Sequence, residues 1–386
     1  MDNTTDIAAS TGYKVPIFAL SLYAVASGYL MSLIPLMLSD YAIDFNQASW
    51  LASSYFAGLL IGALIVEPFI KQLGHRNALV TCLLLFMITI IVLPIAPSAQ
   101  VWLAARFTAG IVVAGVYVII ESWLLVGDES NRVKRFGLYL GFLNGGSALG
   151  QLGIGFIGVH GGTPFAVILS VLGAAILVMF LVPTQQPPST TSTSFSFKQA
   201  SKLNHAAIIG CIVSGLTLSA IYGLMPMELL NREISQSSLS TLMATIILGG
   251  MVIQTIIPRL VRNLGHTLSM GLLCLVGVFA LGLVVLSNNL SVLTVSSFLI
   301  GMAAFSLYPI AINLGCNKLD ESQIISVTQM MMFCYSIGSI AGPMIASQFM
   351  TNAQGLMAYL LAILMSTAIF MLIISIRAKN HLATGK

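Results

Sequence analysis

The chain has 386 residues, 57% of them hydrophobic and only 7% charged, with a net charge of +4. A soluble domain carries roughly 25% charged residues, so this composition excludes a chain that covers itself with a water-facing surface. The basic excess is no sign of a nucleic-acid partner either, because the Lys and Arg residues gather in loops.

Apolar stretches recur, each long enough to cross roughly 30 Å of hydrocarbon as a helix. A membrane β-barrel would alternate apolar and polar residues in segments of about ten. These stretches are continuous, so the fold class is an all-α polytopic membrane protein. Twelve spans are predicted: 14–38, 48–70, 78–96, 101–126, 136–158, 165–183, 204–230, 239–260, 268–287, 292–316, 324–348 and 355–376. The first, with Lys14 ahead of it and "AVAS" at 24–27, mimics a secretory signal. Its apolar run continues to Leu38, too long for such a segment, so it reads as an uncleaved membrane helix. Cys82, Cys211, Cys274, Cys316 and Cys334 all fall inside spans and read as small buried apolar residues, not as disulfide partners or metal ligands. Between the sixth and seventh spans, 184–203 is rich in Pro, Ser and Thr and reads as a flexible linker. The expected domains are thus 1–183 and 204–386.

Lys and Arg set the orientation. With the N-terminus in the cytoplasm, cytoplasmic loops and tails hold fourteen of them, from Lys14 and Lys71 through Arg132, Lys134 and Arg135 to Lys386, while outer loops hold only Arg232. Both termini are expected inside.

The two halves echo each other. "KQLGHRNAL" at 71–79 returns as "RNLGHTLSM" at 262–270, which places Gly74 and His75 191 residues before Gly265 and His266. At the same offset Pro35 matches Pro226, Gly58 matches Gly249 and Tyr117 matches Tyr308. At an offset of 192, "DES" at 128–130 matches 320–322, and Gly146, Ser147 and Gly150 match Gly338, Ser339 and Gly342. The common register predicts two six-helix halves, each starting and ending inside, as parallel repeats about the membrane normal.

This organisation resembles the major facilitator superfamily of secondary transporters, over essentially the whole chain. The superfamily's first cytoplasmic loop, G-x-x-x-D-R-x-G-R-R, meets "EPFIKQLGHR" at 67–76, where Gly74 and Arg76 fit but Glu67 and Lys71 replace Gly and Asp. "RFTAGIVVAG" at 106–115 is similar to the fourth-helix R-x-x-x-G pattern. "GLYLGFLNGGSALGQLGIG" at 137–155 resembles the glycine-rich fifth helix of proton-coupled drug antiporters, with Gln151 where Pro is usual and Pro343 keeping it in the repeat. "ESWL" at 121–124, "GALIVEPFIKQLG" and "IYGLMP" at 221–226 resemble a bacterial branch labelled YcaD-like.

Ionisable residues inside a bilayer cost roughly 2.5–3.5 kcal/mol each and point to function. On the fourth helix Arg106, Gly110, Tyr117 and Glu121 lie within about 60° of one another, a polar stripe about 22 Å long. Glu121 either takes up and releases a proton or neutralises a cationic substrate, or else is a structural anion paired with Lys71, Arg76 or the Arg132–Arg135 cluster. Arg106 is a gate or coupling residue if the family pattern holds, or else snorkels to the outer headgroups. Glu67 and Glu228 sit near helix ends and read as interfacial. Asp128, Glu129, Asp320 and Glu321 read as caps of the following helices. By resemblance the first, fourth, seventh and tenth helices line the substrate cavity, which draws in Tyr23, Tyr29, Tyr117, Tyr222 and Tyr308. Asn144, Gln151, Gln254, Asn313 and Gln329 either contact substrate or join helices. Gly137, Gly141 and Gly145, then Gly146 and Gly150, are spaced for close helix approach; Gly137, Gly146, Gly150, Gly338, Gly342 and Pro343 are the expected hinge positions. Gly74, His75, Arg76, Gly265 and His266 form the repeated cytoplasmic turn.

No G-x-x-x-x-G-K-[ST] is present, so ATP does not drive the chain. No H-E-x-x-H, C-x-x-C or histidine cluster suggests a metal, cofactor or enzyme. The expected activity is alternating-access transport of a small amphipathic molecule, neutral or cationic, by proton-coupled export from a bacterial inner membrane. Proton-coupled uptake is the runner-up, and a non-transporting scaffold or receptor is the third reading. The expected partners are the substrate, protons and the bilayer, with the chain acting as a monomer.

Overall fold

The computed structural model describes residues 14–125, 129–182, 204–287, 289–317, 321–351 and 355–384. Among these residues the regular structure is all helical. Helix α1 is Lys14–Leu36. Gln47–Ile95 is one stretch broken at Gly74, and its arms, 47–73 and 75–95, are α2 and α3. Then follow α4 (Ala99–Leu125), α5 (Glu129–Phe156), α6 (Thr163–Leu181), α7 (His205–Asn231), α8 (Gln236–Leu264), α9 (His266–Leu286), α10 (Leu290–Gly315), α11 (Glu321–Thr351) and α12 (Gly355–Thr384). Ten of the helical stretches are long and apolar enough to cross a membrane, and the 49 residues of Gln47–Ile95 suffice for two passes. The helix outside that set is α5, which its glycines, Asn144 and Gln151 dilute. The predicted linker 184–203 and the loop residues Asp128 and Asp320 lie outside the described residues, as do the side chains of Glu129, Glu321, Arg132 and Lys134.

The seven-residue loop expected after the second span is a one-residue break. Gly74 has φ 73° and ψ 160°, and its repeat partner Gly265 has φ 80° and ψ 165°. This region is essentially closed to residues with a Cβ, so a single glycine turns the chain and both helices run up to it. His75 is buried there with its ring 5.7 Å from that of Trp123 in "ESWL". Arg76 donates from Nε to Met179 O (2.9 Å) and from Nη2 to Phe180 O (2.7 Å). Its cation therefore satisfies the carbonyls at the C-terminus of α6. Cys316 also departs from expectation, standing just past the end of α10; all five cysteines are free thiols.

Two compact units form: Met1–Thr191 with Ser235–Ala244, and Ser192–Ile234 with Thr245–Lys386. In the first, α1 packs on α5 and α6, and the α2–α3 stretch packs on α4 and α6. In the second, α7 packs on α10, α11 and α12, and α9 packs on α10 and α12. Lipid gives no hydrophobic drive between helices, so small residues must let backbones close in. They do so in repeat. A Cβ on Gly58 would collide with Phe107 O, and one on Gly249 with Phe298 O. Gly110 meets Tyr55 O, and Gly301 meets Ile246 O. All four pairings obey the offset of 191.

The glycines of α5 divide between two faces. Gly146 and Gly150 press on α1 at Ser21 O and Val25 O, as Gly338 and Gly342 press on α7 at Ile212 O and Leu216 O. A Cβ on Gly137, Gly141 or Gly145 would meet nothing within 4 Å. The four-residue spacing does not carry that second set into a helix contact. Instead Gly137 and Gly141, with Leu138 and Phe142, line a cavity of about 570 Å³.

Candidate functional site

Helix α4 carries the site because its apolar sequence holds one helix over Ala99–Leu125 and its small residues admit neighbours. Gly110 brings α2 close enough to set the Tyr55 ring against Arg106 on the preceding turn. The Arg106 Cζ lies 4.3 Å from the centre of that ring. Only 7% of the residue is exposed, and among the described residues it makes no hydrogen bond, with Nε enclosed and unpaired. Its electrostatic neighbours are the hydroxyls of Tyr55 and Tyr23.

Further along α4, Tyr117 stacks edge-on against Tyr23 of α1, with ring centres 6.1 Å apart, and Tyr23 also packs on Phe86 at 5.5 Å. Tyr117 is in turn an electrostatic neighbour of Tyr139 on α5. The Tyr139 hydroxyl donates to Glu121 Oε1 at 3.0 Å. The result is one series of polar side chains inside the first unit: Arg106, Tyr55, Tyr23, Tyr117, Tyr139 and Glu121. Of the basic residues weighed as partners of Glu121, the three with described side chains have partners of their own. Lys71 pairs with the exposed Glu67 at 2.7 Å, Arg76 holds α6, and Arg135 Nη1 donates to Leu124 O at 3.5 Å.

The other candidates lie apart from this series. Gln151 is fully buried between α5 and α1, where Ser32 Oγ donates to its Oε1 at 2.6 Å and its Nε2 has no partner. Tyr29 donates to Gly158 O at 2.5 Å. Asn144 is half-buried on α5. In the second unit Tyr308 packs on Tyr335 at 4.8 Å and Tyr222 on Phe305 at 6.1 Å. Pro309 removes the amide that would bond Phe305 O, and Gln254 Nε2 from α8 donates to that carbonyl at 3.1 Å. Asn313 Nδ2 donates to Pro309 O at 2.8 Å, and Gln329 is half-buried on α11. Glu228 joins helix ends: it accepts from Arg232 Nε (2.9 Å) and from the Leu356 amide that opens α12 (2.9 Å). Arg232 Nη1 reaches Val284 O of α9 at 3.2 Å.

Sequence reading missed Tyr55, Tyr139 and Ser32. One trace of them existed. At the repeat offsets Tyr55 faces Ile246, Tyr139 faces Met331, Arg106 faces Ser297 and Glu121 faces Ile312. Apart from Tyr117, which matches Tyr308, the polar series sits where the echo fails.

Comparison with known proteins agrees with this architecture. Residues 17–343 match the family model described as Major Facilitator Superfamily. The chain is 29% identical to the "Uncharacterized MFS-type transporter YcaD" of Escherichia fergusonii over 370 residues, 94% of each chain. It is 28% identical to the protein of that name in Salmonella arizonae, over 90% of this chain and 91% of the other. Among solved structures it resembles the nucleoside transporter NupG (TM-score 0.74, 13% identity, 94% and 96% coverage). It also resembles a D-xylose-proton symporter (TM-score 0.71, 15% identity, 94% and 97% coverage).

Proposed function

Because the chain belongs to the Major Facilitator Superfamily of secondary transporters, we propose that it exports a small amphipathic molecule in exchange for protons, by alternating access of two six-helix halves joined through 184–203. The observation that carries this reading is the Glu121–Tyr139 pair, a half-buried carboxyl that accepts from one phenolic hydroxyl and, among the described residues, pairs with none of Lys71, Arg76 and Arg135. A carboxyl so placed can gain a proton without breaking an ion pair, and the phenol can either donate to it or accept from it. Tyr139 lies on the glycine-rich α5 that resembles the antiporter motif, which supports export over uptake. The orientation follows from the fourteen-to-one distribution of Lys and Arg, with both termini in the cytoplasm of a bacterial cell and the helices in its inner membrane.

Respiring inside-out vesicles with a pH-sensitive dye test this. Amphipathic compounds should release protons from vesicles carrying the wild-type chain but not from those carrying Glu121→Gln. An unchanged response in the variant sinks the role of Glu121. A response only when the proton gradient and substrate run in the same direction replaces export by uptake.

A further inference from the structure

We propose that Arg106 is the receptor for an organic monoanion, so that the transported molecule carries one carboxylate on an aromatic or aliphatic body. This deepens the transporter reading and rests on it. It also replaces the expectation of a neutral or cationic substrate.

The argument begins with an unbalanced charge. Arg106 is 93% enclosed, always cationic and without a hydrogen bond among the described residues. Removing a cation from water costs several kcal/mol after relaxation. The Tyr55 face returns only part of that cost. No carboxylate stands among its electrostatic neighbours, which are Tyr55 and Tyr23. Glu121 cannot serve, since fifteen residues of α4 separate the two by about 22 Å. A guanidinium left with unused donors is a fork shaped for a carboxylate.

The surroundings narrow the ligand. Lys71, Arg76 and Arg135 hold partners at other places, so among the described residues no second cation is seen beside Arg106, and a single negative charge balances it. A phosphate dianion would call for a second one. The neighbouring side chains are aromatic: Tyr55 lies against Arg106, and the buried Tyr23 packs on Phe86 and Tyr117. Such neighbours favour an apolar body behind the carboxylate over a small hydrated ion.

The test uses the full chain in phosphatidylcholine nanodiscs without any gradient, probed by calorimetry and thermal melting. Benzoate and octanoate are compared with benzylamine and octylamine. Both carboxylates should bind saturably and raise the melting temperature, and the amines should not. Arg106→Gln should abolish the shift, and Arg106→Lys, which keeps the charge but loses the fork, should weaken binding about tenfold. Unliganded Arg106→Gln should melt no lower than wild type, because it removes an uncompensated buried charge. Absence of saturable carboxylate binding to wild type overturns the proposal, as does equal binding of the amines or undiminished binding to Arg106→Gln. Should that variant fail to fold, the wild-type contrast and Arg106→Lys still decide. Displacement of benzoate by added phosphatidylglycerol would assign the site to lipid headgroups and overturn the substrate reading. Since no proton movement is measured, this site can fail while Glu121 still couples transport, and the reverse.

Discussion

Arg106 and Glu121 stand on one helix, yet their neighbours give them different chemistry. Arg106 has an aromatic face and unused donors, whereas Glu121 has a phenol that donates to it. Tyr139→Phe removes that donor and should cost roughly 1–2 kcal/mol of stability. It should also slow proton-coupled flux in vesicles. The double variant with Glu121→Gln should be no slower than Glu121→Gln alone, because the two groups act as a unit; additive losses would separate them. Glu228 has a different task. It accepts from Arg232 and from the first amide of α12, and Arg232 extends the link to α9. Glu228→Ala should lower stability by about 2–4 kcal/mol in thermal melts, with Glu228→Gln losing less because it can still accept one bond. Among these residues, sequence position distinguished the stripe on α4, but not which side chains from α1, α2 and α5 complete it. Helical periodicity relates residues within one helix only.

Helix α5 shows how an element's spacing can mislead. Five glycines at regular intervals read as one packing stripe, but Gly146 and Gly150 bear on α1 while Gly137, Gly141 and Gly145 meet open space. Gly150→Ala should therefore force α1 away from Val25 and cost about 1–3 kcal/mol, or prevent folding. Gly141→Ala fills nothing and restrains the unfolded chain, so it should leave the melting temperature unchanged or raise it by the equivalent of about 0.4–1 kcal/mol. Equal losses at the two positions would mean that the open face closes on a neighbour in the state measured. Pro309 in α10 follows a similar logic: it frees Phe305 O and Gln254 supplies the missing donor. A proline is legible in sequence, but the side chain that answers its orphaned carbonyl belongs to another helix.

Across the whole molecule the repeat extends to backbone angles and interhelical contacts. Gly74 and Gly265 share one unusual conformation, and four glycine–carbonyl contacts between paired helices keep the same offset. Gly74→Ala and Gly265→Ala should each cost about 1–3 kcal/mol through backbone strain alone, since open space surrounds Gly265. Thermal melts of the two single variants check whether the turns are energetically equivalent. A cost at one turn only would show that His75, packed on Trp123, carries the first turn without help from its glycine. The polar side chains break the symmetry that the glycine contacts keep. The second unit sets Ser297 and Ile312 where the first has Arg106 and Glu121.

The sequence by itself determined the helical membrane fold and the positions of the two turn glycines. Each of these depends on local composition or on a residue type that only one backbone conformation or one environment accepts. A charge-poor chain must enter lipid, a helix must satisfy its own backbone there, and glycine alone fits the turn. The tertiary structure decided which glycines touch, which polar groups meet and which are left without a partner. Those are properties of two or more helices brought together at a set depth and rotation. The missing hydrogen bonds of Arg106 and the single phenolic donor to Glu121 exist only once α1, α2, α4 and α5 have packed.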